Sequence, residues 1–271
     1  MSAGHYAALT GPDVRIRSGA ATHVGRVRDH NEDNLIAEGR VYAIADGMGG
    51  HAAGEVASKI AVQCLGELNT REHVRSEDVV ALLRRTNREI LESAARHPEQ
   101  TGMGTTVAGL TVVDAGGADH WIVFNVGDSR VYRFLGNRMS MVTQDHSEVR
   151  EMVDAGLITA AEAQRHPLRN IITRSLGTEP GPNADVWVFP PHPGERFVLC
   201  SDGLSNEIDD RTIMVTLQKY DDPQAAADAL CIAAVEAGGR DNISVVVVAF
   251  DADEDDNDEA DTAPRHTLMP T

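Results

Sequence analysis

The chain has almost no lysine: Lys59 and Lys219 are the two it carries, and no GxxxxGK[ST] loop of the kind that cradles nucleotide phosphates is present. A nucleotide-driven kinase or ATPase is therefore disfavoured. Cysteine is as scarce. Cys64, Cys200 and Cys231 form an odd set without a CxxC pair, so neither a disulfide framework nor a thiolate zinc site is expected, and a reduced cytosol fits. A cysteine-dependent phosphatase needs an arginine six positions after its nucleophile; Thr70, Asn206 and Ala237 stand there instead, which excludes that class. Aromatic residues, at 4%, are too few for a base-stacking nucleic-acid surface. No apolar run approaches the roughly 18 residues of a membrane span, and residues 1–17 lack the apolar core of a secretory signal, so a cytoplasmic protein without membrane contact is expected.

What the chain has in excess is acid. The 42 Asp and Glu against 24 Lys and Arg give a formal charge of −18, which repels nucleic acid and anionic membranes alike. Much of it lies in residues 251–261, expected to be part of a solvated, disordered tail. The apolar fraction of 42% suffices for a sizeable, mainly aliphatic core, and no Pro/Ser/Gly-rich linker divides the middle. One catalytic domain over residues 18–251 is expected, with an N-terminal extension (1–17), a small flap (about 146–182) and an acidic tail (252–271).

Strand-like runs recur at residues 20–24, 41–45, 105–113, 121–126, 131–135, 186–189, 197–200 and 243–250. Several are joined too tightly for intervening helices, which predicts two packed, largely antiparallel sheets. Helical periodicity marks residues 52–68, residues 76–95 with Ser76 as a possible cap, and the stretch from Pro223, after the cap candidate Asp222, to Gly238-Gly239. These helices are expected to cover the sheets from outside. Between Asp145 and Pro182 the pattern shifts to short amphipathic pieces with a Thr159-Ala-Ala-Glu162 capping box, which reads as a flap beside the site.

Four aspartates stand at the edges of strand-like runs, each followed by a small or turn-forming residue: Asp46 (Ala-Ile-Ala-Asp-Gly-Met-Gly-Gly), Asp128 (Asn-Val-Gly-Asp-Ser-Arg), Asp202 (Leu-Cys-Ser-Asp-Gly) and Asp241 (Asp-Asn-Ile-Ser). A lone Asp-Gly is usually just a turn. Four such acids lifted off strand ends can converge in space, and an all-oxygen cluster suits Mg²⁺ or Mn²⁺, with the Gly47 carbonyl able to approach a cation. In Gly25-Arg-Val-Arg-Asp-His-Asn-Glu-Asp-Asn34, the guanidinium fork of Arg28 can hold phosphate oxygens while Glu32 and Asp33 can accept hydrogen bonds from metal-bound water. The chain reads as a metal-dependent hydrolase.

From about residue 20 to 250 these residues resemble the metal-dependent Ser/Thr protein phosphatases of type 2C (the PPM family) in their compact bacterial form. The motifs run in order: Arg-x-x-Asn-Glu-Asp-Asn, Asp-Gly-Met-Gly-Gly-His, Gly-Thr-Thr, Val-Gly-Asp-Ser-Arg, Asp-His-Ser, Arg174-Ser-Leu-Gly177, Ser-Asp-Gly-Leu and Asp-Asn-Ile-Ser. Each alone is weak; the ordered set is specific. The resemblance implies an α+β fold, a four-layer α-β-β-α sandwich of two mainly antiparallel sheets flanked by helices, with the metals at one end. It further implies that Asp46 bridges two Mn²⁺ or Mg²⁺ ions, that the Gly47 carbonyl, Asp202 and Asp241 complete the ligands, and that Asp128 with Asp202 holds a third, weaker ion. Arg28 would grip the substrate phosphate, Glu32 and Asp33 would order metal-bound water, and a water between the ions would attack phosphorus without a protein nucleophile. The expected substrates are phosphoserine and phosphothreonine on proteins, with a bacterial Ser/Thr kinase and its targets as partners.

One departure stands out. Met48 occupies the place where many eukaryotic relatives carry a histidine proposed to protonate the leaving group, and neither His51 nor His146 inherits that role on sequence grounds. Two rivals were weighed: a regulatory relative that binds phosphoprotein partners with little or no turnover, against which the intact Asp46, Asp202, Asp241 and Arg28 argue, and a metal nuclease, which the acidic balance disfavours.

Overall fold

The computed structural model describes residues 14–49, 53–178, 181 and 183–252. Within them the strands are β1 (Val14–His23), β2 (Asp33–Ile36), β3 (Val41–Met48), β4 (Gly104–Thr105), β5 (Val107–Asp114), β6 (Asp119–Val126), β7 (Arg130–Leu135), β8 (Arg138–Met141), β9 (Asp185–Phe189), β10 (Arg196–Cys200) and β11 (Ile243–Ala252). The helices are α1 (Ala53–Gly66), α2 (Ser76–Arg96), α3 (Glu148–Asp154), α4 (Ala160–Ala163), α5 (Asp202–Ser205), α6 (Asp210–Lys219) and α7 (Pro223–Ala237). All pairings between these strands are antiparallel. One sheet runs β2-β3-β5-β6-β9, with β4 joined to β3, and the other β1-β11-β10-β7-β8.

Alternation along the strands builds the four layers. On β11, Val246 and Val248 point between the sheets and meet Tyr42, Ile44, Leu110, Trp121 and Phe197, whereas Val245 and Val247 turn outward onto Ile213 and Leu217 of α6 and Leu230 of α7. On β3, Val41, Ala43 and Ala45 face outward instead, onto Ala57 and Leu65 of α1 and Leu83 of α2. A strand buried on both faces carries no polar alternation, which is why Val245–Val248 reads as an unbroken apolar run.

The expected architecture is present, with local differences. β1 begins at Val14 and pairs residue by residue with β11 as far as Ala252, so residues 14–17, placed in the extension on sequence grounds, belong to the sheet. Strands β2 and β8 and helix α6 were not anticipated. The residue at the start of α2 is Arg75, whose backbone N–H donates to Asp78 (2.9 Å); Ser76 lies inside the helix. Thr159 and Asp222 cap α4 and α7 as read, through hydrogen bonds from Glu162 N and Ala225 N. The flap stem closes at the bridge between Ser147 and Ile172, and Leu176 is already fully buried in the core. The tail from 253 onward and His51 lie outside the described residues.

Between the sheets one carboxylate is fully buried: Glu195 accepts from Trp121 Nε1 (2.5 Å), His192 N (2.8 Å) and Arg133 Nε (2.7 Å). Glu195→Ala leaves an indole N–H unpartnered inside the sandwich. It is expected to cost about 3 kcal/mol, read as a lower urea midpoint at unchanged slope.

Candidate metal centre

The acids arrive from both sheets at one end of the sandwich. Asp33 opens β2 and lies across from Asp46 on β3, so two carboxylates share the end of one sheet. Asp202 is the first residue of α5, two residues after the last of β10, and Asp241 lies two residues before the first of β11, which brings two more from the other sheet. Asp128 sits in the turn from β6 to β7, where the chain passes between sheets.

Asp46 and Gly47 do not end their strand as the sequence pattern suggested; β3 runs on to Met48. Glycine is required at 47 by close backbone approach. A Cβ there would come within 2.2 Å of the Gly54 carbonyl oxygen at the start of α1 and 2.6 Å of the Glu32 carbonyl oxygen. The Gly47 N–H donates to that Glu32 oxygen (3.2 Å).

The acids are held by polar neighbours, of which Thr106, Ser129, Ser201 and Asn242 fall inside the motifs named above and Asn206 outside them. Thr106 receives the Asp46 N–H on its hydroxyl (3.1 Å), donates its own N–H to the Asp46 carbonyl (2.9 Å) and shares a hydrogen bond with Ser129 (2.7 Å), tying β3 to the Asp128 turn. Ser201 donates to Asp33 Oδ2 (2.8 Å). Asn242 donates to the carbonyls of Val24 and His30 (both 2.9 Å) and accepts from Glu32 N (2.8 Å), which pins the loop carrying Arg28 against the start of β11. Asn206 donates to Asp202 Oδ2 (3.0 Å). For Asp128, Asp202 and Asp241 the available signal was an adjacent small polar residue, Ser129, Ser201 and Asn242, since buried polar groups are almost always partnered; Asp46, between Ala45 and Gly47, has none.

The electrostatics are those of crowded like charges. Burial raises the pKa of Asp46 well above the carboxylate range, and repulsion from Asp33, Asp202, Asp128 and Asp241 adds to it. Asp33, Asp128 and Asp202 are likewise raised, first by burial and then by nearby carboxylates: Asp202 and Asp241 act on Asp33, Asp202 and Asp145 on Asp128, and Asp241 on Asp202. The neighbouring Asp46 carboxyl opposes part of the rise at Asp202. Glu32 is raised by burial, with Arg28 and the Gly54 N–H of α1 pulling the other way.

Two arginines supply the local positive charge. Arg130 is held in a fork by Asp145 (Nε–Oδ1 2.9 Å, Nη2–Oδ2 2.6 Å), and Arg28 Nη2 donates to Asp241 Oδ2 (2.7 Å). Arg28 is thus directed at one of the proposed metal ligands, with about half of its side chain open to solvent.

The donor set fits a hard divalent cation. It consists of carboxylate and carbonyl oxygens with no thiolate or imidazole in the proposed set, and Asp33 Oδ1 is buried without a hydrogen-bond partner. Among the described residues no three His, Cys, Asp or Glu side chains are already drawn in around a single point. Arg28, Asn206 and Ser201 hold oxygens of Asp241, Asp202 and Asp33 on separate partners instead.

Comparison with known proteins gives the family and the fold. The family model "Protein phosphatase 2C" matches residues 26–229. The serine/threonine phosphatase stp of Listeria monocytogenes is 35% identical over 241 residues, covering 85% of this chain and 94% of that protein. The crystal structure of the Mycobacterium tuberculosis serine/threonine phosphatase PstP/Ppp superposes with a TM-score of 0.81 at 36% identity, covering 87% of this chain and 99% of that one. The catalytic domain of PstP in complex with two manganese ions superposes at 0.79 with 35% identity, covering 88% and 99%. With its paired antiparallel sheets, its acids gathered where they meet and these relatives in agreement, the chain belongs to the protein phosphatase 2C family.

Proposed function

We infer that the protein is a metal-dependent serine/threonine protein phosphatase, and the observation that carries this reading is the convergence of five aspartates from two sheets beside the Gly47 carbonyl. Asp46, the Gly47 carbonyl, Asp202 and Asp241 would hold two core ions, Mn²⁺ or Mg²⁺, and Asp128 with Asp202 a third, weaker one. Such ions supply, when bound, an activated water and neutralisation of phosphoryl charge. The chain's own residues do the rest. Arg28, on a loop braced by Asn242, is placed to exchange Asp241 for a substrate phosphate oxygen, and Glu32 and Asp33 offer carboxylates for ordering water.

The expected partners are phosphoproteins, and a Ser/Thr kinase of the same cell with its targets is the natural source of them. A reducing, cytoplasmic setting is supported by three buried free cysteines, and no described helix is long and apolar enough to cross a membrane. The test is hydrolysis of a phosphothreonine peptide in Mn²⁺ buffer before and after thiol alkylation. Turnover that survives alkylation is expected. Binding of the peptide without release of phosphate would instead favour the regulatory reading.

Two further outcomes are expected. Arg28→Ala removes charge-assisted hydrogen bonds made to phosphate in ground and transition states alike, so KM should rise about tenfold or more while kcat stays within about threefold. A fall in kcat at constant KM would show that Arg28 acts only in the transition state. Replacing residues 150–170, inside the Ser147–Ile172 bridge, by a short Gly/Ser linker should spare most turnover of a small aryl phosphate and depress that of phosphoproteins, because it removes Leu157, an exposed apolar side chain available to a protein substrate. Unchanged phosphoprotein turnover would mark the flap as a mere connector.

A further inference from the structure

We propose that His146 is a positioning residue that holds the Gly127–Asp128 turn and ties it to both ends of the flap, so that placement of the Asp128 carboxylate depends on how the flap is seated. This rests on reading Asp128 as a ligand of the third ion. His146 is 4% exposed, and both its backbone and its ring are engaged. Its backbone N–H donates to the Gly127 carbonyl (3.0 Å), and the Gly127 N–H donates back to its Nδ1 (3.0 Å). Because Nδ1 accepts, the proton of the neutral ring sits on Nε2, which faces Asp185 Oδ2 at 3.1 Å. Arg174 reaches the same cluster, 3.1 Å from Asp185 Oδ1 and 3.3 Å from the Asn183 carbonyl, with Nη1 3.2 Å from the ring nitrogen.

These partners are not scattered. The His146 carbonyl accepts from Thr173 N (2.9 Å), and Glu148 N donates to the Ile171 carbonyl (2.9 Å), so the two ends of the flap pair at this histidine. On its other side is the turn, whose Gly127 carbonyl also accepts from Asn125 Nδ2 (3.0 Å) while its Gly127 N–H relies on the ring. Gly127 has φ +111°, and a Cβ there would lie 2.6 Å from Thr106, so the turn is wedged between Thr106 and the imidazole. Thr106 fixes Asp46 and His146 fixes the residue before Asp128, which places one support under each of two proposed ligands. The ring is therefore a strut with two separable ends: Nδ1 serves the turn and Nε2 serves the flap stem.

Two amide substitutions separate the ends. His146→Asn puts a carboxamide oxygen near the Nδ1 level and keeps an acceptor for Gly127, whereas His146→Gln reaches the Nε2 level and leaves the Gly127 N–H without one. The measurement is Mn²⁺ calorimetry on the full chain, with Asp128→Asn as reference. Asp128→Asn is expected to abolish the weakest of three ions. His146→Gln should weaken that ion about tenfold or more with the two tighter ions within about twofold, and His146→Asn should keep it within about threefold of the parent. Equal shifts in the two histidine variants, simultaneous weakening of all three ions, or no shift in His146→Gln would overturn the proposal. Retention of all three ions by Asp128→Asn would overturn the Asp128 reading and the proposal with it. Should His146→Gln not fold, Asp185→Ala, on a side chain 35% exposed, releases the Nε2 end together with the Arg174 ion pair and leaves Nδ1 on Gly127. It should lower kcat/KM on a phosphoprotein at least about threefold more than on an aryl phosphate, since the flap stem loses its tie; equal effects on both substrates would overturn the flap half of the strut.

Discussion

Asp46→Asn should lower kcat on a phosphothreonine peptide by on the order of 10³-fold, about 4 kcal/mol of barrier, because it removes charge from the one side chain proposed to bridge both core ions. The fold should survive. The Asp46 backbone is held at N and O by Thr106 and Thr105, and asparagine has the same shape. Without metal the variant should even melt at or above the parent's temperature, since it takes one negative charge out of a set in which four other aspartates raise its pKa. With Mn²⁺ the order should reverse: the parent gains stability and the variant gains little. Loss of activity together with a lower metal-free melting temperature would mean instead that the substitution damages the fold, and near-parental turnover would remove Asp46 from the bridging position.

Chelation should abolish hydrolysis in the parent and destabilise it at once. A ligand bound only by the folded state stabilises it by about 2.7 kcal/mol at a hundred times its dissociation constant, and the crowded carboxylates of this site relax only when a cation stands among them. The expected result is a melting temperature that rises with free Mn²⁺, falls back on addition of EDTA, and moves in step with turnover across the titration. Thiol alkylation should move neither, because Cys64, Cys200 and Cys231 are buried and lie outside the proposed ligand set. Full activity in metal-free buffer would sink the mechanism.

The parts of this molecule legible in its sequence are those whose signal is local. β6 and β11 are apolar runs long enough to be buried on both faces, and α2 repeats its apolar residues at helical spacing. The acids stood out because a carboxylate beside glycine at a strand edge is both conspicuous and cheap to expose. β2 escaped because it has four residues and opens on an acid, and β8 because Arg138 and Ser140 leave it half polar. α6 was hidden by β-branched Thr212, Ile213, Val215 and Thr216, which are weak helix formers; burial of Ile213 and Leu217 against the second sheet outweighs their preference. The supports of the site were out of reach for another reason. Ser201 is 168 residues from Asp33, Arg28 is 213 from Asp241, and no local pattern reveals that β2 pairs in the register that sets Asp33 opposite Asp46. Resemblance to known phosphatases supplied the ligand set that spacing alone could not.

The pairing of β1 with β11 bears on how the chain is born. Residues 14–23 leave the ribosome long before residues 243–252, their one strand neighbour among the described residues, so β1 waits without that partner while the intervening chain is made. Asp241 arrives in the same late instalment. During synthesis the growing chain therefore has an unpaired β1 and lacks one proposed ligand, and both conditions end together when β11 slots between β1 and β10. Such long-range closure is slow and exposes edges in the meantime. On the proposed ligand set, a nascent fragment short of residue 241 lacks one ligand, so activity is expected to begin only once the architecture that confines it is complete.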